Sequence, residues 1–285
     1  MFVKPFAYER AATLGEACEM LRAHDGSAKV IAGGQSLMPM VNFGLLDLEA
    51  VVDVSRVASG VTNEDGYLQI GATTRHRELI ESSALREGQP MLAEAAHWIG
   101  NARIRNRGTL GGSLAHSDPV AELPLAMVTL GAEYDLTDGR ATRTVRADEF
   151  HQSYFATALA DDELIASVRV PALGPGWGWG FVEISRRLGD FALVAAAALA
   201  RVADGRVVES RLALAGVGER PLRLAAAEAA VGGATADELD ERIGPIEGLE
   251  PVTDTNATAE HRRHLARVLA IRALTDAIRR GGEAA

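Results

Sequence analysis

Apolar residues recur at Leu14, Ala17, Cys18 and Leu21, the spacing that lays one face of a helix against a core, so residues 13–24 are expected to be helical. Thr13 followed by Glu16 suits a capping box at the start of that helix, and Asp25-Gly26 stops it. Residues 28–31 are a short apolar run that predicts a buried strand. Residues 36–46 predict a second helix, interrupted early by Pro39, and residues 50–54 a second strand. This alternation describes a small α/β lobe closing near residue 57.

After Gly60 the pattern restarts. Residues 67–72 alternate as a strand does, and residues 75–82 and 91–99 carry helical spacing. Residues 100–119 hold few large apolar groups and predict a long loop, which inside a compact domain usually has a function. A helix is expected over 121–130, strand broken at Asp138-Gly139 over 133–150, and a closing strand over 164–171. Residues 173–178 read as a linker. Beyond it, residues 181–185, 191–202 and 207–216 predict an antiparallel meander, with Asp204-Gly205 at one turn. Helices over 224–231 and 261–280 follow. The expected class is α+β: lobes at 1–57 and 58–172, then a C-terminal domain at 180–282 with an antiparallel sheet and helices.

Composition narrows the function. The 285 residues are 47% hydrophobic and 24% charged, which is ordinary for a globular protein. Acidic residues outnumber basic ones 39 to 29, for a formal charge of -10, which argues against nucleic acid as the main partner. The only dense basic stretch, residues 103–107, is too short to change that. The single cysteine, Cys18, cannot form an internal disulfide or hold an iron–sulfur cluster, which takes about four ligands. The amino terminus lacks the apolar core of a signal peptide, and the longest apolar run, residues 191–200, falls well short of the roughly 20 needed to span a bilayer. The expectation is a cytoplasmic protein.

Three stretches carry candidate chemistry. The first is AGGQSL: Ala32, Gly33, Gly34, Gln35, Ser36 and Leu37, directly after a strand. Paired glycines leave successive backbone amides unshielded, which makes a concave anion site, and Gln35 and Ser36 add side-chain donors. A phosphate or pyrophosphate fits that chemistry; a tight turn with no ligand fits the same residues. Neither GxGxxG after a strand nor GxxxxGK[ST] occurs. The second stretch is RGTLGGSLAHSDP, with Thr109, Gly111, Gly112 and Ser113 followed by Asp118 and, past Pro119, Glu122. Thr109 and Ser113 can donate to phosphate oxygens. Asp118 or Glu122 can accept from ribose hydroxyls, or Asp118 can cap the next helix. Two such loops suit an extended dinucleotide better than a lone phosphate. The third, RRLGDFA from Arg186, places arginines and Phe191 at a domain boundary, where ligand sites often lie; a surface turn with an Arg–Asp pair is the alternative.

In this order and spacing, AGGQSL, IRNRGTLGGSLAHSDPVAELP and SRRLGDFALV resemble the FAD-binding medium subunit of molybdenum hydroxylases. That family includes carbon monoxide dehydrogenase, xanthine dehydrogenase and related aldehyde, nicotine and quinoline oxidoreductases, and the resemblance covers essentially the whole chain. It implies a two-lobed FAD-binding domain of the PCMH type, followed by the C-terminal domain of carbon monoxide dehydrogenase flavoproteins. By the same resemblance, residues 32–37 and 109–113 hold the FAD pyrophosphate and ribityl chain. Glu122 matches an acidic FAD ligand, with Asp118 in the same motif. Ile165 matches a position whose backbone faces the flavin, and Phe191 an aromatic beside the isoalloxazine. The xanthine dehydrogenase branch has a flavin-contacting lysine where this chain has Val182, followed by Glu183. The lysine's contribution is expected either to come from Arg186 or Arg187 or to be absent here.

The implied role is electron transfer within an oxidoreductase. A large molybdenum-cofactor subunit oxidises the substrate, a small subunit with two iron–sulfur clusters passes on electrons, and this chain carries FAD in a heterotrimer, commonly doubled. The cysteine count agrees, since the clusters must sit on a partner. Two alternatives stand beside this one: a self-contained FAD-dependent reductase on the same fold, and a flavin-free structural subunit. Elsewhere, His261 and His264 are spaced for a shared metal but lack a third ligand. Trp177 and Trp179, alternating with glycine, suit either a partner contact or packing at the domain junction.

Overall fold

The computed structural model describes residues 4–283. Its first unit is a three-stranded parallel sheet of β1 (Ala7–Arg10), β2 (Ala28–Ile31) and β3 (Ala50–Asp53), with β3 in the middle. Both faces are covered, as a parallel sheet requires. Val52 packs with Cys18 and Leu21 of α1 (Leu14–Ala23), while Val51 packs with Val41 of α2 (Leu37–Asn42) on the other side. Thr13 caps α1 by accepting from Glu16 N, and Glu16 reaches back to Ala12 N, one residue short of a capping box. The predicted helix over 36–46 is the shorter α2: Gly44, at φ 72°, ends it in the left-handed region.

The second unit is a five-stranded sheet in the order β4 (Val61–Glu64), β5 (Tyr67–Gly71), β10 (Leu164–Pro171), β6 (Glu133–Thr137), β7 (Thr142–Arg146), antiparallel throughout. The small hairpin β8 (His151–Ser153) and β9 (Ala156–Thr157) follows α9 (Ala147–Phe150). Helices α3 (His76–Glu81), α4 (Ser83–Gly88) and α5 (Pro90–Trp98) contribute to the main core on one side. The stretch 100–119 is not a loop. It folds into α6 (Ala102–Arg105) and α7 (Leu110–His116), each started by a side-chain cap, Asn101 and Thr109. Leu110 and Leu114, four apart and fully buried, anchor α7, so two apolar residues take the place of a longer stripe. Every residue of α8 (Glu122–Leu130) is buried, because α8 lies between this sheet and the next.

The third unit is an antiparallel sheet in sequence order: β11 (Trp177–Ser185), β12 (Ala192–Ala203), β13 (Arg206–Ala215) and β14 (Leu222–Arg223). One face packs on α12 (Ala259–Glu283), the other on the core around α8 and α5. The short helices α10 (Ala225–Ala230) and α11 (Leu239–Arg242) precede α12. Strand β11 begins at Trp177, inside the expected linker, and β12 begins one residue after Phe191. In the WGWG run, a Cβ on Gly178 or Gly180 would overlap the Ala277 or Ala273 carbonyl of α12. The glycines let that helix lie directly on the strand, while Trp177 and Trp179 pack on the opposite core and Arg280 stacks 3.8 Å from the Trp179 ring. The tryptophans therefore serve the junction between units.

Candidate cofactor site

A cavity of about 960 Å³ opens where the three units meet, within the size range of ligand sites. It is lined by Ala32, Gly33, Gly34, Gln35, Ser36 and Leu37 from the first unit. The second contributes Thr109, Gly111, Gly112, Ser113, Asp118, Glu122 and Ile165, and the third Arg186 and Phe191. Every residue singled out as a candidate cofactor ligand thus lines one cavity except Arg187. That arginine is exposed and off the wall, its carbonyl accepting from Ser185 Oγ at 2.8 Å. Arg186 lines the cavity instead and donates to Asn256 Oδ1 at 3.1 Å.

The two glycine stretches do different work. The backbone amides of Gly33 through Leu37 donate to no protein acceptor among the described residues, so they form a run of free N–H groups beside the cavity. Gly34 adopts φ 71°, which bends this run into a concave turn. Gln35 turns an amide N–H back onto Gly33 O at 3.1 Å, so this part of its donor capacity serves the loop itself. In the second stretch the amides are already used. Leu110 N and Gly111 N donate to Thr74 O and Ala72 O, Ser113 N to Thr109 O, and Gly112 N to Thr109 Oγ1 at 3.2 Å. What it offers the cavity is the exposed surface of Gly112 and the hydroxyls of Thr109 and Ser113.

Two buried groups in the wall, Glu122 and His76, have shifted protonation. Asp118 Oδ1 accepts from Val120 N at 3.0 Å, serving the turn into α8, while the residue also lines the cavity. Burial pushes the Glu122 carboxyl up to about 7, with the neighbouring Asp118 charge adding to the rise. Burial likewise holds His76 down to about 4, so this ring is neutral; its Nε2 sits 3.0 Å from Thr109 O and props the second stretch. Phe191 stands at the rim, 74% exposed. Ile165 is buried beside the β10 bulge.

Sequence reading missed much of the wall and one group behind it. His76, Phe155 and Asn256 gave no motif signal, since each is placed by tertiary packing alone. Glu183 was named only as the residue that follows Val182. Val182 faces α12 and packs in the third unit's core, so a longer side chain there would point away from the cavity. Phe181 and Glu183 take the opposite face of β11, toward α8. His261 and His264 belong to no group of potential metal ligands among the described residues.

Residues 4–173 match the family described as the FAD binding domain in molybdopterin dehydrogenase. Residues 179–277 match the CO dehydrogenase flavoprotein C-terminal domain. The chain belongs to the FAD-binding subunits of the molybdenum hydroxylases. It is 35% identical over 281 residues to the 6-hydroxypseudooxynicotine dehydrogenase complex subunit alpha of Paenarthrobacter nicotinovorans, covering 96% of this chain and 95% of that one. Its structure superposes on carbon monoxide dehydrogenase from Hydrogenophaga pseudoflava with TM-score 0.94 and 33% identity, covering 98% of this chain and 99% of that one. Quinoline 2-oxidoreductase from Pseudomonas putida 86 gives TM-score 0.91 and 35% identity, covering 98% and 99%.

FAD is therefore the cofactor of this oxidoreductase subunit, and the cavity residues fit it. The free amides of Gly33–Leu37 and the bare Gly112 surface are what a pyrophosphate and its flanking chain demand: unshielded donors on one side, room on the other. Neither a stand-alone reductase nor a flavin-free subunit accounts for the match of the C-terminal third to this flavoprotein family.

Proposed function

We propose that this chain is the middle electron carrier of a cytoplasmic molybdenum hydroxylase, taking electrons from a small iron–sulfur subunit and releasing them to an external acceptor. FAD supplies the exchange between one-electron and two-electron chemistry. The chain's own residues hold and orient it. The amides of Gly33 to Leu37 would donate to and stabilise the pyrophosphate, and the Thr109 and Ser113 hydroxyls would donate to the same region. Glu122 and Asp118 would accept from the cofactor's sugar hydroxyls, and Ile165 and Phe191 would offer its ring system apolar contact. The observation that carries this reading is the run of free amides beside a cavity of cofactor size.

The substrate is chosen elsewhere. Relatives named for a nicotine derivative, carbon monoxide and quinoline match this chain at 35%, 33% and 35%, so overall similarity does not single out one substrate. Among the described residues, no helix is long and apolar enough to cross a membrane. Co-expression of the full chain with subunits encoded beside it tests the proposal. A complex carrying flavin, iron–sulfur and molybdenum absorption, with FAD released from this chain on denaturation, is expected. A complex whose copy of this chain contains no FAD overturns it.

A further inference from the structure

A smaller cavity, of about 260 Å³, opens between the second and third units. It lies at the far end of α8 from the cofactor cavity: Glu122 at the start of that helix lines one, and Gly131 just past its end lines the other. Four arginines converge on it, Arg146 of β7, Arg169 of β10, Arg211 of β13 and Arg223 of β14. In a chain of formal charge -10 such a gathering is unexpected, because like charges brought together repel. Three of the four have a carboxylate: Arg146 pairs with Asp148, Arg169 with Glu133 and Arg223 with Glu228. Arg211 is half-buried and has no carboxylate partner among the described residues. One positive charge is left unanswered.

Donors are left over as well as charge. Arg146 and Arg223 each spend Nε and Nη2 on the two oxygens of their carboxylate, at 2.9 to 3.0 Å. This side-on fork leaves Nη1 without a protein acceptor, and Arg169, which gives Nε and Nη2 to Glu133, is in the same state. A guanidinium has more N–H donors than one carboxylate can use. Arg211 donates through Nη1 alone, to Leu130 O at 2.9 Å, so its Nε and Nη2 are unspent. Gly131 makes room for this head: it is the left-handed C-cap of α8, at φ 66°, and a Cβ there would lie 2.5 Å from Arg211 Nη1. The Tyr67 ring steadies Arg169, with 4.8 Å between its centroid and Cζ.

We propose that this arginine-lined cavity is an oxyanion site that takes a phosphate group, either free phosphate or the head of a phosphate monoester. A tetrahedral oxyanion presents oxygens in several directions, which suits guanidinium groups arriving from four strands better than a planar carboxylate does. The unanswered charge of Arg211 favours an anion, and the spare N–H groups supply its hydrogen bonds. The setting between two units is one where ligands commonly bind. A bound anion would link β7 and β10 of the second unit to β13 and β14 of the third, and so stabilise their docking. The site is separate from the cofactor cavity and does not rest on the FAD reading.

Calorimetric titration of inorganic phosphate into the FAD-loaded full chain tests the site, with chloride at equal ionic strength as the control. Saturable binding is expected, with a melting temperature that rises with phosphate and not with chloride. Glycerol phosphate in a parallel titration separates the two sources: tighter binding than phosphate marks a monoester site, equal or weaker binding a site for free phosphate. The Arg146→Gln/Arg169→Gln double variant alters exposed ion pairs that contribute little to folding, and should bind phosphate about tenfold more weakly with unchanged flavin content. Lysine at both positions keeps the charge but not the forks, and should fall between the two proteins. Should the double glutamine variant fail to fold, Arg146→Gln alone is expected to weaken binding severalfold. These variants are remote from the cofactor cavity, so they identify the site whether or not flavin is bound. Absence of phosphate binding, stabilisation that chloride reproduces, or an affinity that the glutamine variants leave unchanged overturns the proposal.

Discussion

Gly33 and Gly108 meet backbone to backbone: a Cβ built on Gly33 would lie 2.8 Å from Gly108 Cα and overlap the Arg107 carbonyl oxygen. The first unit is docked on the second through this contact, beside the cavity both units line. Gly33 is therefore required by the fold whatever the cavity holds. Gly112 differs, since a Cβ there would meet only Thr109 Oγ1, at 2.8 Å, on an exposed surface.

Substitutions at these two glycines should consequently separate folding from cofactor binding. Gly33→Ala forces two backbones apart and is expected to destabilise the chain by about 2 kcal/mol, the usual scale for overpacking, with FAD lost as a consequence. Gly112→Leu should cost stability under about 1 kcal/mol, through a disturbed Thr109 cap, yet abolish FAD retention. Thermal melts and the flavin absorbance per chain measure both. A Gly112→Leu protein with full flavin content would refute the role given to this surface.

Thr109 links the second stretch to the fold in two ways. Its hydroxyl accepts from Gly112 N at the start of α7, and its carbonyl faces the His76 ring at 3.0 Å. Thr109→Val removes the cap but keeps the volume, and should cost about 1 kcal/mol in denaturant unfolding while raising the FAD dissociation constant. Thr109→Ser, which restores the hydroxyl, is expected to recover most of the affinity. Equal affinity in all three proteins would count against a hydroxyl contact.

Arg262 shows how a distant helix shapes the rim. It is 6% exposed, donates to Leu193 O, and holds Asp254 Oδ2 at 2.9 Å. Asp254 in turn accepts from the backbone of Asn256, whose side chain takes Arg186. Arg262→Met leaves the buried Leu193 carbonyl without this donor and takes the ion-pair partner from Asp254, with an expected loss of about 2 kcal/mol in chemical unfolding. Flavin should dissociate faster from that variant, read as fluorescence recovery on release. An unchanged off-rate would show that the rim does not depend on this chain of contacts.

Motifs with local chemistry were legible in the sequence. AGGQSL and TLGGS stand out because glycine spacing and hydroxyls survive in one dimension, and α1, β2, β3, α8 and α12 follow from periodicity. What escaped depends on partners far along the chain. The stretch 100–119 resembles a loop because α7 is anchored by two leucines and a threonine cap, too few residues to establish a period. The WGWG run resembles a linker because its glycines answer to α12, about a hundred residues later. Glu183 is invisible for the same reason: alternation assigns it a face, but only the packing of α8 reveals that the face is dry.

The buried carboxyl groups also give stability a pH signature. In the folded chain Glu122 sits near 7 and Glu183 near 8, raised first by burial, against 4.5 for an ordinary glutamate. The native state thus holds protons that the unfolded state has released, so their contribution is fully present below pH 4.5 and lost as pH rises through 7 to 8. Two histidines act oppositely at lower pH: burial depresses His76 and His151 to about 4, so stability from them is lost as pH falls from 6.5 toward 4. The slopes offset one another in the acid range, leaving a net decline above pH 6.5, where these histidines are neutral in both states. Glu183→Gln removes the acid that ionises last and should flatten that decline. The expected gain is roughly 2 kcal/mol at the alkaline end, given about 1.4 kcal/mol for each tenfold change in an ionisation constant. Urea unfolding of both proteins across this range measures it; parallel curves would mean that Glu183 ionises as freely in the folded chain as in the unfolded one.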